Sequence, residues 1–245
     1  MDLKHVVLVH GASHGAWCWY KVVAMLQNRG FTVAAIDLTS MGRDKTSPDW
    51  VSSIAQFARP LLDYLENVNG KVLLMGHSLG GITVSYAMEK LPNKIRKAVF
   101  LVSRMPLNNQ SFITSIPSNV TPPSDFLFCV FLFPSVSVEF SLEHVRNFYH
   151  DCREEDVQLA LLLLSPQPYA VYSENLTLTR ERYGSVPRVY IFTSEDRVRP
   201  REIQELYVDL NPPQEVYRID SGHSPFFSKP LELTIMIEII QRRGL

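Results

Sequence analysis

The residues best placed to do chemistry begin with Gly76-His77-Ser78-Leu79-Gly80, a G-x-S-x-G pattern that directly follows the apolar run Lys71 to Met75 and opens a helical pattern. A serine on such a strand-to-helix turn presents its hydroxyl at the edge of a sheet, and flanking glycines let the backbone pass where side chains would collide. A serine hydroxyl is a weak nucleophile. It needs a base within hydrogen-bond reach and a third group that orients the base. Of the seven histidines, His223 is the candidate base: it follows the last strand and precedes the last helix, on a loop able to aim an imidazole at Ser78. The acid belongs on an earlier loop of the same kind. The run Arg188 to Phe192 leads into Thr193-Ser194-Glu195-Asp196. That order favours Asp196, with Glu195 and then Asp220 as alternatives.

Acyl transfer also needs donors aimed at the developing oxyanion. His10-Gly11-Ala12 ends the first apolar run, so the Ala12 N–H can join the N–H of Leu79, the residue after the nucleophile. His10, His14 and His77 cluster near this point in the chain but sit on the wrong segments to be the base, and read as structural or pocket-lining. Gly11, His14, Arg104, Phe126 and Phe131 are the expected substrate-binding residues. Arg104 follows the run Ala98 to Val102, at the sheet edge where ligands bind in open α/β folds. It either turns outward to solvent or a cap carboxylate such as Asp125 or Glu139, the favoured reading, or faces the pocket and receives a polar group of the substrate. None of this chemistry calls for a cofactor or a metal.

These residues must be carried by loops after strands, and the chain supplies such strands. Near-continuous apolar runs at His5 to Val9, Thr32 to Ile36, Lys71 to Met75 and Ala98 to Val102 read as strands covered on both faces. Helical patterns lie between them at Trp17 to Arg29, Trp50 to Glu66 and Leu79 to Leu91, closed by Gly30 in the first case and Pro92 in the last. This alternation predicts βαβ units and a mostly parallel, doubly wound sheet. After Pro106 the alternation fails. A Ser/Pro/Asn stretch leads into the aromatic run Phe126, Phe128, Phe131 and Phe133, and helical patterns follow at Leu142 to His150 and Glu154 to Leu164. Residues 107 to 178 therefore read as a cap that roofs the sheet. Alternation resumes with strands at Arg188 to Phe192 and Glu215 to Ile219, a helix at Pro200 to Leu210 between them, and a final helix opened by Pro230.

The bulk properties narrow the partners. With 24 Lys and Arg against 25 Asp and Glu, the chain has no net field to gather nucleic acid or an anionic membrane. Three scattered cysteines show neither metal-site nor disulfide spacing. The N-terminal apolar run Val6 to Val9 is too short for a signal segment or a membrane span. A cytoplasmic protein of 245 residues in one domain is expected, its ligand a small molecule; a homodimer is compatible with the sequence but not specified by it.

Taken together, the segments from His10 to Tyr20, from Gly76 to Gly81, from Tyr183 to Val186 and from Ser228 to Pro230 resemble the plant methylesterase family of α/β-hydrolases. That family includes methyl salicylate and methyl jasmonate esterases, polyneuridine aldehyde esterase and related hydroxynitrile lyases. The resemblance covers nearly the whole chain and is weakest from Leu107 to Gln167. It implies the α/β-hydrolase fold, with a core of residues 1–106 and 179–245 and a helical cap inserted after the sixth strand. It implies a serine carboxylesterase acting on small, methyl-type esters through an acyl-serine, with Ser78, Asp196 and His223 as its catalytic set and Ala12 and Leu79 as oxyanion donors. Two positions depart from the family pattern: Gly222 stands where an Asp usually precedes the catalytic histidine, and Arg104 where a pocket residue is usually apolar or aromatic. Lyases of the family carry Asn in place of Gly11, or a Thr near it with Lys after the histidine; here Gly11 and Ser224 weigh against a lyase. A non-catalytic binder on the same fold is the third reading, and an intact catalytic set weighs against it.

Overall fold

A computed structural model describes residues 4–114 and 137–243, the side chains of 142–144 excepted. The strands are β1 His5–Val9, β2 Thr32–Ile36, β3 Val72–His77, β4 Ile95–Leu101, the short β5 Ser137–Val138 and β6 Gln167–Pro168, β7 Arg188–Thr193 and β8 Glu215–Ile219. Six form one sheet in the order β2-β1-β3-β4-β7-β8, and all five of its pairings are parallel. The central strands are largely apolar, with His77, Arg96 and Lys97 among the exceptions, because both faces are covered. Val7, Val9, Leu74, Phe100 and Tyr190 belong to one core, whereas their alternating neighbours Val6, Leu8, Met75, Leu101 and Ile191 belong to the other.

Helices α1 Tyr20–Gln27 and α10 Pro230–Arg242 bury Val22, Leu26, Leu233 and Ile237 on one face. Helices α2 Ile54–Phe57, α3 Arg59–Asn67 and α4 Gly80–Lys90 bury Phe57, Leu61, Leu65 and Ile82 on the other. The single helix expected from Trp50 to Glu66 is in fact broken. Pro60 supplies no N–H and its ring crowds the preceding turn, so α2 ends at Ala58 and α3 starts afresh with proline in its first turn. Ser53 caps α2, its hydroxyl accepting from the Gln56 N–H at 3.2 Å. The start of the expected helix from Trp17 is a 3₁₀ turn, Ala16–Trp19.

The segment between β4 and β7 contains α5 Leu142–Phe148, α6 Glu154–Leu163, α7 Ala170–Ser173 and the antiparallel pair β5 and β6. It enters after the fourth strand in chain order, not after a sixth, because only two more sheet strands remain to be laid down. After β7 come α8 Arg201–Leu210, β8, the short α9 Pro225–Ser228 and α10. The chain leaves β1 toward β2 on one side and returns to β3 on the other. That reversal opens a crevice at the carboxyl ends of β1 and β3. Among the described residues no helix is long and apolar enough to cross a membrane.

Candidate active site

Ser78 follows β3 with φ of +51°, in the left-handed region that a side chain rarely adopts. Three contacts hold it there. The Ser78 N–H donates to the Leu101 carbonyl at 3.1 Å, the Ser103 hydroxyl donates to the Ser78 carbonyl at 2.5 Å, and α4 approaches so closely that a Cβ on Gly80 would stand 2.5 Å from the His10 carbonyl oxygen. Gly81 is constrained in the same way, since its Cβ would meet the Ser103 hydroxyl. The glycines of the motif are therefore the condition for joining β1, β3 and α4 at one point.

His223 Nε2 lies 3.1 Å from Ser78 Oγ, and His223 Nδ1 lies 2.7 Å from Asp196 Oδ2. Asp196 is buried and its other oxygen accepts the N–H groups of Val198 and Arg199 at 2.7 and 2.8 Å. Burial pushes the Asp196 carboxyl up, but His223 and these backbone donors outweigh it and hold the group below its ordinary value. The alternatives fall away: Glu195 is exposed, and Asp220 is engaged at the surface by the Ser194 hydroxyl. A carboxylate on Nδ1 leaves Nε2 as the acceptor for a serine proton.

Ala12 and Leu79 line the same small space as this serine, and neither N–H donates to an acceptor among the described residues. The other three histidines of the region serve the scaffold. His77 donates from Nε2 to the His223 carbonyl at 2.8 Å. His14 donates from Nδ1 to the Ala12 carbonyl at 2.6 Å and accepts the Tyr149 hydroxyl on Nε2 at 2.6 Å. His10 donates to the Gly11 carbonyl and accepts the Leu38 N–H. Burial pushes His10 down to about 4, His14 down to about 3 and His77 well below the ordinary histidine value, so all three stand neutral.

A cavity of about 10 Å³, room for about one water, lies directly over Ser78. Ala12, Ser78 and Leu79 form its floor. Its walls are Phe112, Phe140, Phe148 and Tyr172, with Val198 and Arg199 at one side. Several expected pocket residues stand elsewhere. Gly11 abuts the segment that carries Ser78, where a Cβ would lie 2.7 Å from His77 Nδ1, and His14 holds the Ala12 carbonyl. Arg104 is only 2% exposed and does not turn to solvent. Its guanidinium lies 3.6 Å from the centre of the Phe112 ring and 5.5 Å from that of Tyr207, behind the cavity wall. Burial lowers it to about 10, partly offset by Tyr207. Phe126, Phe131 and Asp125 lie outside the described residues.

Sequence reasoning missed Arg199, Ser103 and Asp151. Asp151, from the turn after α5, accepts the Gly222 N–H at 2.6 Å, and a Cβ on Gly222 would stand 2.5 Å from its Oδ1. The chain thus brings a carboxylate to the histidine loop from the cap, at a place where the loop itself has only glycine. No local pattern announces such a contact. Among the described residues no group of three or more His, Cys, Asp or Glu is placed to hold a metal ion.

A parallel, doubly wound sheet with a serine, histidine and carboxylate on the loops at its carboxyl edge defines the α/β-hydrolase class. The chain belongs to the alpha/beta hydrolase family, whose sequence profile matches residues 6–235. It is 38% identical to the putative chloroplastic methylesterase 13 of Arabidopsis thaliana over 98% of its own length and 57% of that protein's. It is 38% identical to methyl jasmonate esterase 1 of Vitis vinifera, covering 97% of this chain and 96% of that one. The chain spans 57% and 64% of the length of the putative methylesterases 13 and 11. A crystal structure of a polyneuridine aldehyde esterase mutant superposes with a TM-score of 0.87 at 31% identity, covering 97% of this chain and 98% of that one. Tomato methylketone synthase I, solved with 2-tridecanone, gives a TM-score of 0.85 at 32% identity over 99% of each chain.

Proposed function

We propose that the protein is a serine carboxylesterase that hydrolyses methyl esters of small acids, with Ser78 as nucleophile, His223 as base and Asp196 as the group that orients it. The reading is carried by the unbroken contact from Ser78 to His223 to Asp196, at 3.1 and 2.7 Å, beside two unengaged N–H groups. His223 Nε2 takes the Ser78 proton as the oxygen attacks the ester carbonyl, and the oxyanion settles between the N–H groups of Ala12 and Leu79. The protonated histidine then gives its proton to the departing alkoxide. Water, activated by the same imidazole, releases the acid and restores Ser78. Methylesterase and methyl jasmonate esterase relatives support a methyl ester, and the small space over Ser78 suits a one-carbon alcohol.

The free thiols of Cys18 and Cys152 support a reducing compartment. The cytoplasm fits, and the chloroplastic names of several relatives keep the plastid as the competing site. The test is methanol release from a panel of methyl esters of small aromatic and lipid-derived acids. Ser78→Ala and His223→Ala should each lose kcat on the order of 10⁴-fold or more, with an unchanged circular dichroism spectrum. Full turnover in either variant would remove the assignment. Cleavage of cyanohydrins in place of esters would move the protein to the lyases, and binding without turnover would make it a binder.

A further inference from the structure

Ala12, the proposed oxyanion donor, has a peptide unit on either side, and three of the four polar groups of those two units are engaged. In the unit that joins Gly11 to Ala12, the Gly11 carbonyl accepts from His10 Nδ1 at 2.8 Å. A peptide unit is planar and trans, so pinning that carbonyl aims the Ala12 N–H the opposite way. In the unit that joins Ala12 to Ser13, the Ala12 carbonyl accepts from His14 Nδ1 at 2.6 Å and the Ser13 N–H donates to Gln167 Oε1 at 2.6 Å. The fourth group, the Ala12 N–H, finds no acceptor among the described residues, and Ala12 lines the small space over Ser78. Ser13 stands at φ +60°, a left-handed conformation that a side chain rarely adopts and that persists only where neighbours impose it. Those neighbours lie across in the cap: the Ser13 N–H goes to Gln167, and the Ser13 carbonyl accepts the Ser165 N–H at 3.1 Å.

Both ends of the second unit are held from the cap. Gln167 is buried and belongs to β6, whose pairing with β5 sets it opposite Val138. Tyr149, from the turn after α5, donates its hydroxyl to His14 Nε2 at 2.6 Å. A neutral imidazole carries one N–H, so a donor on Nε2 keeps the proton on Nδ1, where the Ala12 carbonyl receives it. We propose that Gln167 and Tyr149 are positioning residues for the reaction: by fixing the peptide unit after Ala12 they aim the Ala12 N–H, so that the cap completes the oxyanion site. The proposal rests on the ester reading above, in which Ala12 is a donor. Neither Gln167 nor Tyr149 lines the small space over Ser78, so each acts through the backbone of the loop. An oxyanion donor works only at about 2.7–3.1 Å from the charge that develops, and turning one peptide plane is enough to lose that distance.

The experiment uses the methyl ester that wild type turns over fastest and a pair of inhibitors. In 1,1,1-trifluoro-4-phenyl-2-butanone the carbonyl carbon takes Ser78 Oγ and the carbonyl oxygen becomes an oxyanion; 4-phenyl-2-butanone offers the same body and does not add. Gln167→Ala should lower kcat by roughly 10- to 100-fold, short of the 10²–10³ lost with a whole oxyanion donor. KM should stay within about twofold, the mark of an interaction made only in the transition state. The inhibition constant of the trifluoromethyl ketone should rise by the same factor as kcat falls, and that of the plain ketone should not move. Gln167→Glu keeps an acceptor in the same place and should restore most of kcat. Tyr149→Phe should show the same split at about fivefold, the worth of a net hydrogen bond, and it decides alone if Gln167→Ala loses the wild-type circular dichroism spectrum. A cap that only packs would weaken both ketones together or raise KM. That result, an unchanged kcat in both variants, or a Gln167→Glu protein no faster than Gln167→Ala overturns the proposal. Failure of the ester reading looks different: wild type releases no methanol and is not inhibited by the trifluoromethyl ketone.

Discussion

At Ser78 the backbone is held at φ +51°, a conformation that costs of order 1–3 kcal/mol and persists only where the surroundings impose it. The Ser103 hydroxyl on the Ser78 carbonyl is one of those impositions. Ser103→Ala should therefore lower the melting temperature and reduce kcat more than KM, because the elbow relaxes while the walls of the cavity stay. An unchanged kcat with a lowered melting temperature would restrict Ser103 to a packing role. Asp196→Asn places an amide beside Nδ1, and the imidazole loses the partner that fixes its tautomer. Its kcat should fall on the order of 10⁴-fold, whereas Glu195→Gln, on an exposed side chain, should leave kcat near wild type. The reverse order would move the acid by one residue. Ser78, His223 and Asp196 were legible in the sequence because each sits on a short loop after a readable strand. Ser103 and Arg199 were not, since their roles exist only once β3, β4 and β7 lie side by side.

The elements show the same division. The central strands could be read from the chain because burial on both faces leaves near-continuous apolar runs, whereas the edge strand β8, with Glu215 and Arg218, shows through its place between two helices. The break between α2 and α3 was written in Pro60 but hidden by the continuing helical periodicity around it. What the sequence hid most fully is how the cap is fastened to the core. Tyr149 reaches His14, Asp151 reaches the Gly222 N–H, and Asp156 takes Lys21 and the Tyr20 hydroxyl. The first two of these fastenings bear on the loop that carries Ala12 and on the loop that carries His223. Gly222→Asp should cost about 1–3 kcal/mol by overpacking, with added repulsion between the two carboxylates, and should lower kcat. Combining it with Asp151→Ala should recover part of both losses, giving a coupling of roughly 0.5–3 kcal/mol in a double-mutant cycle. Simple additivity of the two substitutions would mean that Asp151 does not hold the loop.

For the molecule as a whole, three neutral histidines in one region tie stability to pH. His10, His14 and His77 all have folded values lowered by burial, to about 4, to about 3 and well below the ordinary value. The unfolded chain takes up their protons as pH falls below about 6.5 and the folded chain does not. Stability is therefore complete above about pH 6.5 and drains away toward pH 4, by ~1.4 kcal/mol per pH unit for each histidine. The melting temperature should drop steeply over that window, and a flat profile would contradict the neutral assignment.

The central claim, that Ser78 carries the acyl group, is tested most directly by rapid acid quench of the protein during turnover of a methyl ester, followed by mass analysis of its peptides. The account predicts the acyl mass on the peptide that contains Ser78, and its loss in both Ser78→Ala and His223→Ala. Acyl label on another residue, or methanol released at the wild-type rate by Ser78→Ala, would contradict it.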